Sequence, residues 1–243
     1  MKRLFVVLLM ALFLMGACGN NKGPTQEQDV TPPPAKEPVV DSTTNQSEPD
    51  AINDSAFLPL EVKESGFTMR GDYLYCAVIL HNPNEDYCVE FPTFRIVARD
   101  SEGLLLGTQD QVLSIIYPQQ DFCYASLAFE VEEVPATVDF EVVSPEDYNI
   151  EKIDLVEHPD FQQLTVVNTA IRGDRVLGEI ENSNSYDIDD TIVTIVFRDE
   201  DGHITYGTST FPDGVPASGS TPFDMSIDEN FVTDYYEVYA NIW

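Results

Sequence analysis

Among the side chains whose types could do chemistry, the cysteines are the first that spacing sorts. Cys76, Cys88 and Cys123 are the thiols of the chain beyond its first twenty residues. A thiol attacks or ligates only as thiolate, and it pairs as a disulfide in an oxidising compartment. Alternation along the flanking residues points Cys76 and Cys123 inward together, so a Cys76–Cys123 bridge is one reading. A Cys88–Cys123 bridge is a second, because one residue of strand parity decides between them. Three reduced thiols, two of them filling a core, are the third. Zinc is disfavoured: the cysteines do not come in close pairs, and His81, His158 and His203 stand at no ligand spacing. No histidine sits with a nucleophile elbow, so no catalytic residue is assigned.

Other candidates carry a plainer reading beside the chemical one. Asp199-Glu200-Asp201-Gly202 opens like an acidic calcium loop, and Asp199 and Asp201 are its candidate metal ligands. Loop position twelve is Thr210, where a bidentate Glu is needed, and a hairpin with Asp-Gly at its tip is the stronger reading. Arg70-Gly71-Asp72 and Arg172-Gly173-Asp174 could engage an integrin, but a tripeptide repeated at one structural place reads as a turn. Near the C-terminus Tyr235 and Tyr239 should face outward and Tyr236 and Val238 inward. Two outward rings would form a small sugar-stacking patch.

Residues 1–20 combine Lys2 and Arg3, an apolar run from Leu4 to Met15 too short to span a bilayer, the small residues Gly16 and Ala17, and then Cys18. Leu14-Met15-Gly16-Ala17-Cys18 resembles the bacterial lipobox. The resemblance implies a signal peptide over 1–17, a covalent diacylglycerol on Cys18 and acylation of the new N-terminus. Two or three acyl chains anchor far more firmly than one. Residues 18–55 are rich in Pro, Gln, Asn, Ser and Thr with no sustained apolar period, and should form a disordered tether reaching roughly 35 Å r.m.s..

The elements that must position these residues follow from the rest of the chain. Of 243 residues, 12 are basic and 43 acidic, a net charge of −31, which excludes a nucleic-acid partner. The 43% hydrophobic and 11% aromatic content excludes a wholly disordered chain. Residues 57–243 are self-similar. Arg70-Gly71-Asp72 recurs as Arg172-Gly173-Asp174, Asn82 as Asn182, and Gly107-Thr108 as Gly207-Thr208. Arg99-Asp100-x-x-Gly103 recurs as Arg198-Asp199-x-x-Gly202, and Pro118 is matched with Pro216. Each copy alternates as strands do: Leu74, Cys76, Val78, Leu80; Phe94, Ile96, Ala98; Ala125, Leu127, Phe129, Val131; then Val176, Gly178, Ile180; Val193, Ile195, Phe197; Phe223, Met225, Ile227. The expected fold is all-β, with β-sandwich modules over 56–145 and 160–243.

An apolar strand ending in Asn, an alternating strand closed by Asp-x-x-Gly, and a Pro-x-x-Gly before the last strands resemble the FxLYD module. Gly178 to Asn182, Ile195 to Asp199 and Pro216 to Gly219 carry the likeness; Ile195, Phe197 and Arg198 stand where that family has Phe, Leu and Tyr. The resemblance implies two tandem immunoglobulin-like modules on a bacterial surface lipoprotein, and no catalytic residues. The expectation is therefore a lipid-anchored protein on the extracytoplasmic face of the membrane. Its role would be non-catalytic, an interaction or structural one toward an envelope protein or glycan. The alternative is an accessory lipoprotein that binds a glycan or small ligand.

Overall fold

The computed structural model describes residues 56–243. The signal peptide 1–17, Cys18 and the tether 18–55 lie outside the described residues. The fold is all-β: apart from two short 3-10 turns, Asp147–Asn149 and Glu229–Phe231, the regular structure of the described residues is strand.

In the first half β1 (Glu61–Arg70), β2 (Tyr73–His81) and β7 (Asp121–Glu130) form one antiparallel sheet in the order β1-β2-β7. A second sheet has the order β5-β4-β8, from β4 (Thr93–Arg99), β5 (Leu105–Val112) and β8 (Thr137–Val143). A small third sheet, β6-β3-β9, joins β3 (Tyr87–Glu90), β6 (Ile115–Ile116) and β9 (Ile150–Lys152). In the second half β10 (Thr165–Arg172), β11 (Arg175–Glu181) and β14 (Ser220–Ser226) pair as β10-β11-β14. Beside them β12 (Thr191–Arg198), β13 (Ile204–Thr210) and β15 (Tyr236–Ile242) pair as β13-β12-β15. In each half the chain crosses from one sheet to the other, as in an all-β sandwich.

The alternating residues build the cores. Leu74, Val78 and Leu80 of β2 meet Phe94, Ile96 and Ala98 of β4; Val176 and Ile180 of β11 meet Val193, Ile195 and Phe197 of β12. A further apolar layer lies between the halves. Ala77 and Ile79 of β2 and Cys123 and Ala125 of β7 pack on Val196 of β12 and Ile204 of β13. β2 and β12 are therefore covered on both faces, as in a strand at the centre of a stack of sheets. Small residues allow the approach. A Cβ on Gly207 would fall 2.7 Å from Ala125 and 3.0 Å from Ala77, and one on Gly66 would overlap the carbonyl of Ile204. The described residues accordingly fall within one compact unit.

Both Arg-Gly-Asp tripeptides lie at the hairpins β1–β2 and β10–β11. Gly71 and Gly173 have φ of 60° and 61°, while neither Asp has positive φ, the pattern of a type II′ turn. The segment joining the halves is fastened down: Tyr87 to Val89 pair with Ile150 to Lys152, and Val156 is buried beside Cys88 and Tyr117.

Candidate binding cleft at the seam

Each half carries a buried asparagine pair that shapes the loop entering the strand after it. Asn82 donates its amide to the carbonyls of Tyr87, Ile116 and Tyr117 at 2.8, 3.1 and 3.1 Å. Asn182 donates to those of Tyr186, Val215 and Pro216 at 2.9, 3.1 and 3.2 Å. The second asparagine of each pair grips the chain ahead of the first strand: Asn84 exchanges two hydrogen bonds with the Leu58 backbone, and Asn184 two with Gln162. The loops so held are tight turns over Tyr117–Gln120 and Pro216–Gly219, with Gln119 at φ 57° and Ser218 at φ 49°.

These bonds correct the alignment of the repeat. Pro216 occupies the place of Tyr117, not of Pro118, and Gly219 the place of Gln120. The asymmetry at that last position has a consequence at the seam. Gln120 is 7% exposed and accepts from the Tyr117 backbone N–H at 2.8 Å. Its amide nitrogen donates to the Gln163 side-chain oxygen at 2.6 Å, and Gln163 donates to the Ala240 carbonyl at 2.5 Å. A relay of two side-chain amides thus spans the halves. It borders a cleft of about 400 Å³ whose lining includes Tyr117, Gln119, Asp121, Phe161 and Tyr239. Tyr117 and Phe161 stack with centroids 4.3 Å apart. Asp121 is held by Lys63 at 2.5 Å and His81 at 2.8 Å. Burial, above all, pushes the phenols of Tyr117 and Tyr239 up from 10.0, so both hydroxyls keep their protons.

Beside the cleft an ionic group crosses the same seam. Arg198, 14% exposed, is paired with Glu64 of β1 and with Glu237 of β15 at 2.7 Å. Burial works against the charge of Arg198, and the hydrogen bonds of Glu64 and Glu237 outweigh it, raising its pKa. Burial likewise opposes ionisation of Glu237, but hydrogen bonds from Arg198 and Tyr239 hold the carboxyl below its usual 4.5.

The structure corrects several expectations. Cys76, Cys88 and Cys123 are all free and buried, so neither the Cys76–Cys123 nor the Cys88–Cys123 bridge is formed. Cys76 lies opposite Ser126 in the first core; Cys123 lies opposite Ile79 and faces the seam. The parity argument fails at a bulge. Leu74 pairs with Phe129 and Tyr75 with Leu127, so an extra residue flips the remainder of β7, and Cys123 does not share a face with Phe129. Burial pushes the thiols of Cys76 and Cys88 up to about 12 and that of Cys123 well above its usual value.

Asp199 is committed to its turn. Its carboxylate accepts from the backbone N–H groups of Asp201 and His203 at 3.1 and 2.8 Å, which holds its pKa down. Asp100 accepts identically from Glu102 and Leu104, both at 2.8 Å. No group of three or more His, Cys, Asp or Glu among the described residues is placed to hold a metal ion. Tyr235 is exposed, but Tyr239 packs on the layer between the halves, so the two rings make no outward platform. Trp243 stacks on Tyr124 at 5.7 Å. His81, at the end of β2, pairs with Asp121; His158, in a loop, stacks on Tyr186 at 3.7 Å; His203 is exposed.

The amides of Gln120 and Gln163 escaped the sequence reading. Their one signal was the Gln at the place where the second copy has Gly219. Compared with known proteins, the chain matches no family model and no curated protein.

Proposed function

We propose that this is a lipid-anchored bacterial envelope protein of two FxLYD-like, immunoglobulin-like modules, with a non-catalytic interaction or structural role outside the membrane. The lipobox-like Leu14 to Cys18 supports the anchor, and the acidic balance supports a body held off anionic headgroups, with electrostatic preference for cationic surfaces. The observation that carries the role is how the polar groups are spent. The asparagine pairs, the Arg198 group and the Gln120–Gln163 relay all bind the body to itself, and burial keeps the three thiols protonated and unreactive.

The test is made on the full chain in a bacterium that processes lipoproteins. Mass spectrometry of the N-terminal peptide should show diacylglyceryl-Cys18, and Cys18→Ala should move the protein from the membrane to the soluble fraction. Crosslinking on intact cells should then trap an envelope component. An unmodified Cys18 with the protein in the soluble fraction overturns the anchor. A cell surface on which nothing is trapped overturns the interaction role.

A further inference from the structure

We propose that the cleft between the two halves is a binding site for a neutral saccharide. Its size falls within the range of small-molecule sites, and the interface of two packed bodies is a usual place for one. Its chemistry matches a sugar better than other small molecules. A sugar ring presents C–H faces that lie against aromatic rings, and a rim of hydroxyls that each donate and accept. The cleft interleaves the Tyr117–Phe161 pair and Tyr239 with the side chains of Gln119, Gln120 and Gln163. An amide is the side chain that offers donors and acceptors together. Gln120 and Gln163 each spend one amide proton inside the protein and retain a second. The Gln119 amide nitrogen is tied to the Pro83 and Asn84 carbonyls, which leaves its oxygen as an acceptor.

Electrostatics narrows the ligand further. On a chain with 43 acidic residues, the lining of this cleft has one carboxylate, Asp121, and Lys63 is bound to it. An anionic sugar would be repelled by the surrounding body, and a cationic ligand would find stronger partners elsewhere on it. The relay also holds Gln120 and Gln163 in place before any ligand arrives, so little side-chain freedom remains to be lost on binding.

The experiment uses the full lipidated chain in nanodiscs, which contain no sugar detergent. Saturation-transfer NMR is run with N-acetylglucosamine, N,N′-diacetylchitobiose, maltose and cellobiose. At least one should receive saturation from the protein. Val166→Trp, which fills the cleft from β10, should abolish that transfer, and Gln163→Leu, at an exposed position, should weaken it. A single cooperative thermal transition verifies both folds, and Gln163→Leu alone decides the matter if the bulkier variant unfolds. Transfer to none of the four sugars overturns the proposal, as does transfer that both folded variants retain. Either failure leaves the envelope reading standing, since anchoring and crosslinking are measured separately.

Discussion

The side-chain amide of Asn84 donates to the side-chain oxygen of Asn82 at 2.7 Å, and the Asn82 amide is thereby aimed at three backbone carbonyls. Asn184 and Asn182 repeat the arrangement at 2.8 Å. Both members of each pair are at most 4% exposed. Asn82→Ala strands buried acceptors that water cannot reach, at about 1–3 kcal/mol for each group left unmade. A loss of roughly 3–5 kcal/mol is expected for Asn82→Ala and for Asn182→Ala alike, read from urea unfolding. Asn82→Asp keeps the shape but removes the donors and should cost as much. A loss under about 1 kcal/mol would show that the pair is not holding the turn.

The seam depends on residues without bulk. Gly66→Ala puts a methyl group into the Ile204 carbonyl, and Gly207→Val drives side-chain carbons into Ala77 and Ala125. Overpacking of this kind costs about 1–3 kcal/mol, which thermal unfolding resolves. The described residues fall within one compact unit, so the whole transition should shift as one. A scan that splits into two transitions would show that the halves unfold independently.

Arg198→Met leaves Glu64 and Glu237 facing each other across the seam without their cation. The carboxylates are 38% and 53% exposed, so solvent softens the penalty to about 1–2 kcal/mol. Acid should act on the same contact. The folded pKa of Glu237 lies below 4.5, so its contribution is present above pH 4.5 and is lost as pH falls through the lower folded value. The Arg198→Met variant should show a shallower loss of stability below pH 4.5 than the parent protein.

The thiols give a count and an alkaline limit. Native protein at neutral pH should react with a thiol reagent at none of Cys76, Cys88 and Cys123, and unfolded protein at all three. A Cys18 that carries the proposed diacylglycerol would stay silent in both states, so a fourth reactive thiol in the unfolded chain would overturn the anchor. Burial raises the Cys76 and Cys88 values from 9.0 to about 12. The folded chain thus keeps protons that the unfolded chain releases. Their contribution is complete below pH 9 and is lost as pH rises toward 12. The urea midpoint should fall across that interval, and less steeply in Cys76→Val.

What the sequence by itself determined is local. Alternation at Phe94, Ile96 and Ala98, and at Val193, Ile195 and Phe197, marks strands because successive side chains point to opposite faces, and all six are core residues. Gly71 and Gly173 mark hairpins because the tight turn needs positive φ. What the tertiary structure decided is whatever depends on a partner distant in the chain. Ala77, Ile79 and Val196 lie on faces that look solvent-directed within one half and are buried only because the halves stack. The bulge between Leu127 and Phe129 reverses a parity that spacing alone cannot reveal, and it places Cys76 and Cys123 on opposite faces. The Gln120–Gln163 bond joins residues 43 apart, and no periodicity encodes it. Local pattern reports the backbone conformation a segment prefers, whereas a face becomes an interface, and two glutamines become a cleft wall, only when distant strands are brought together.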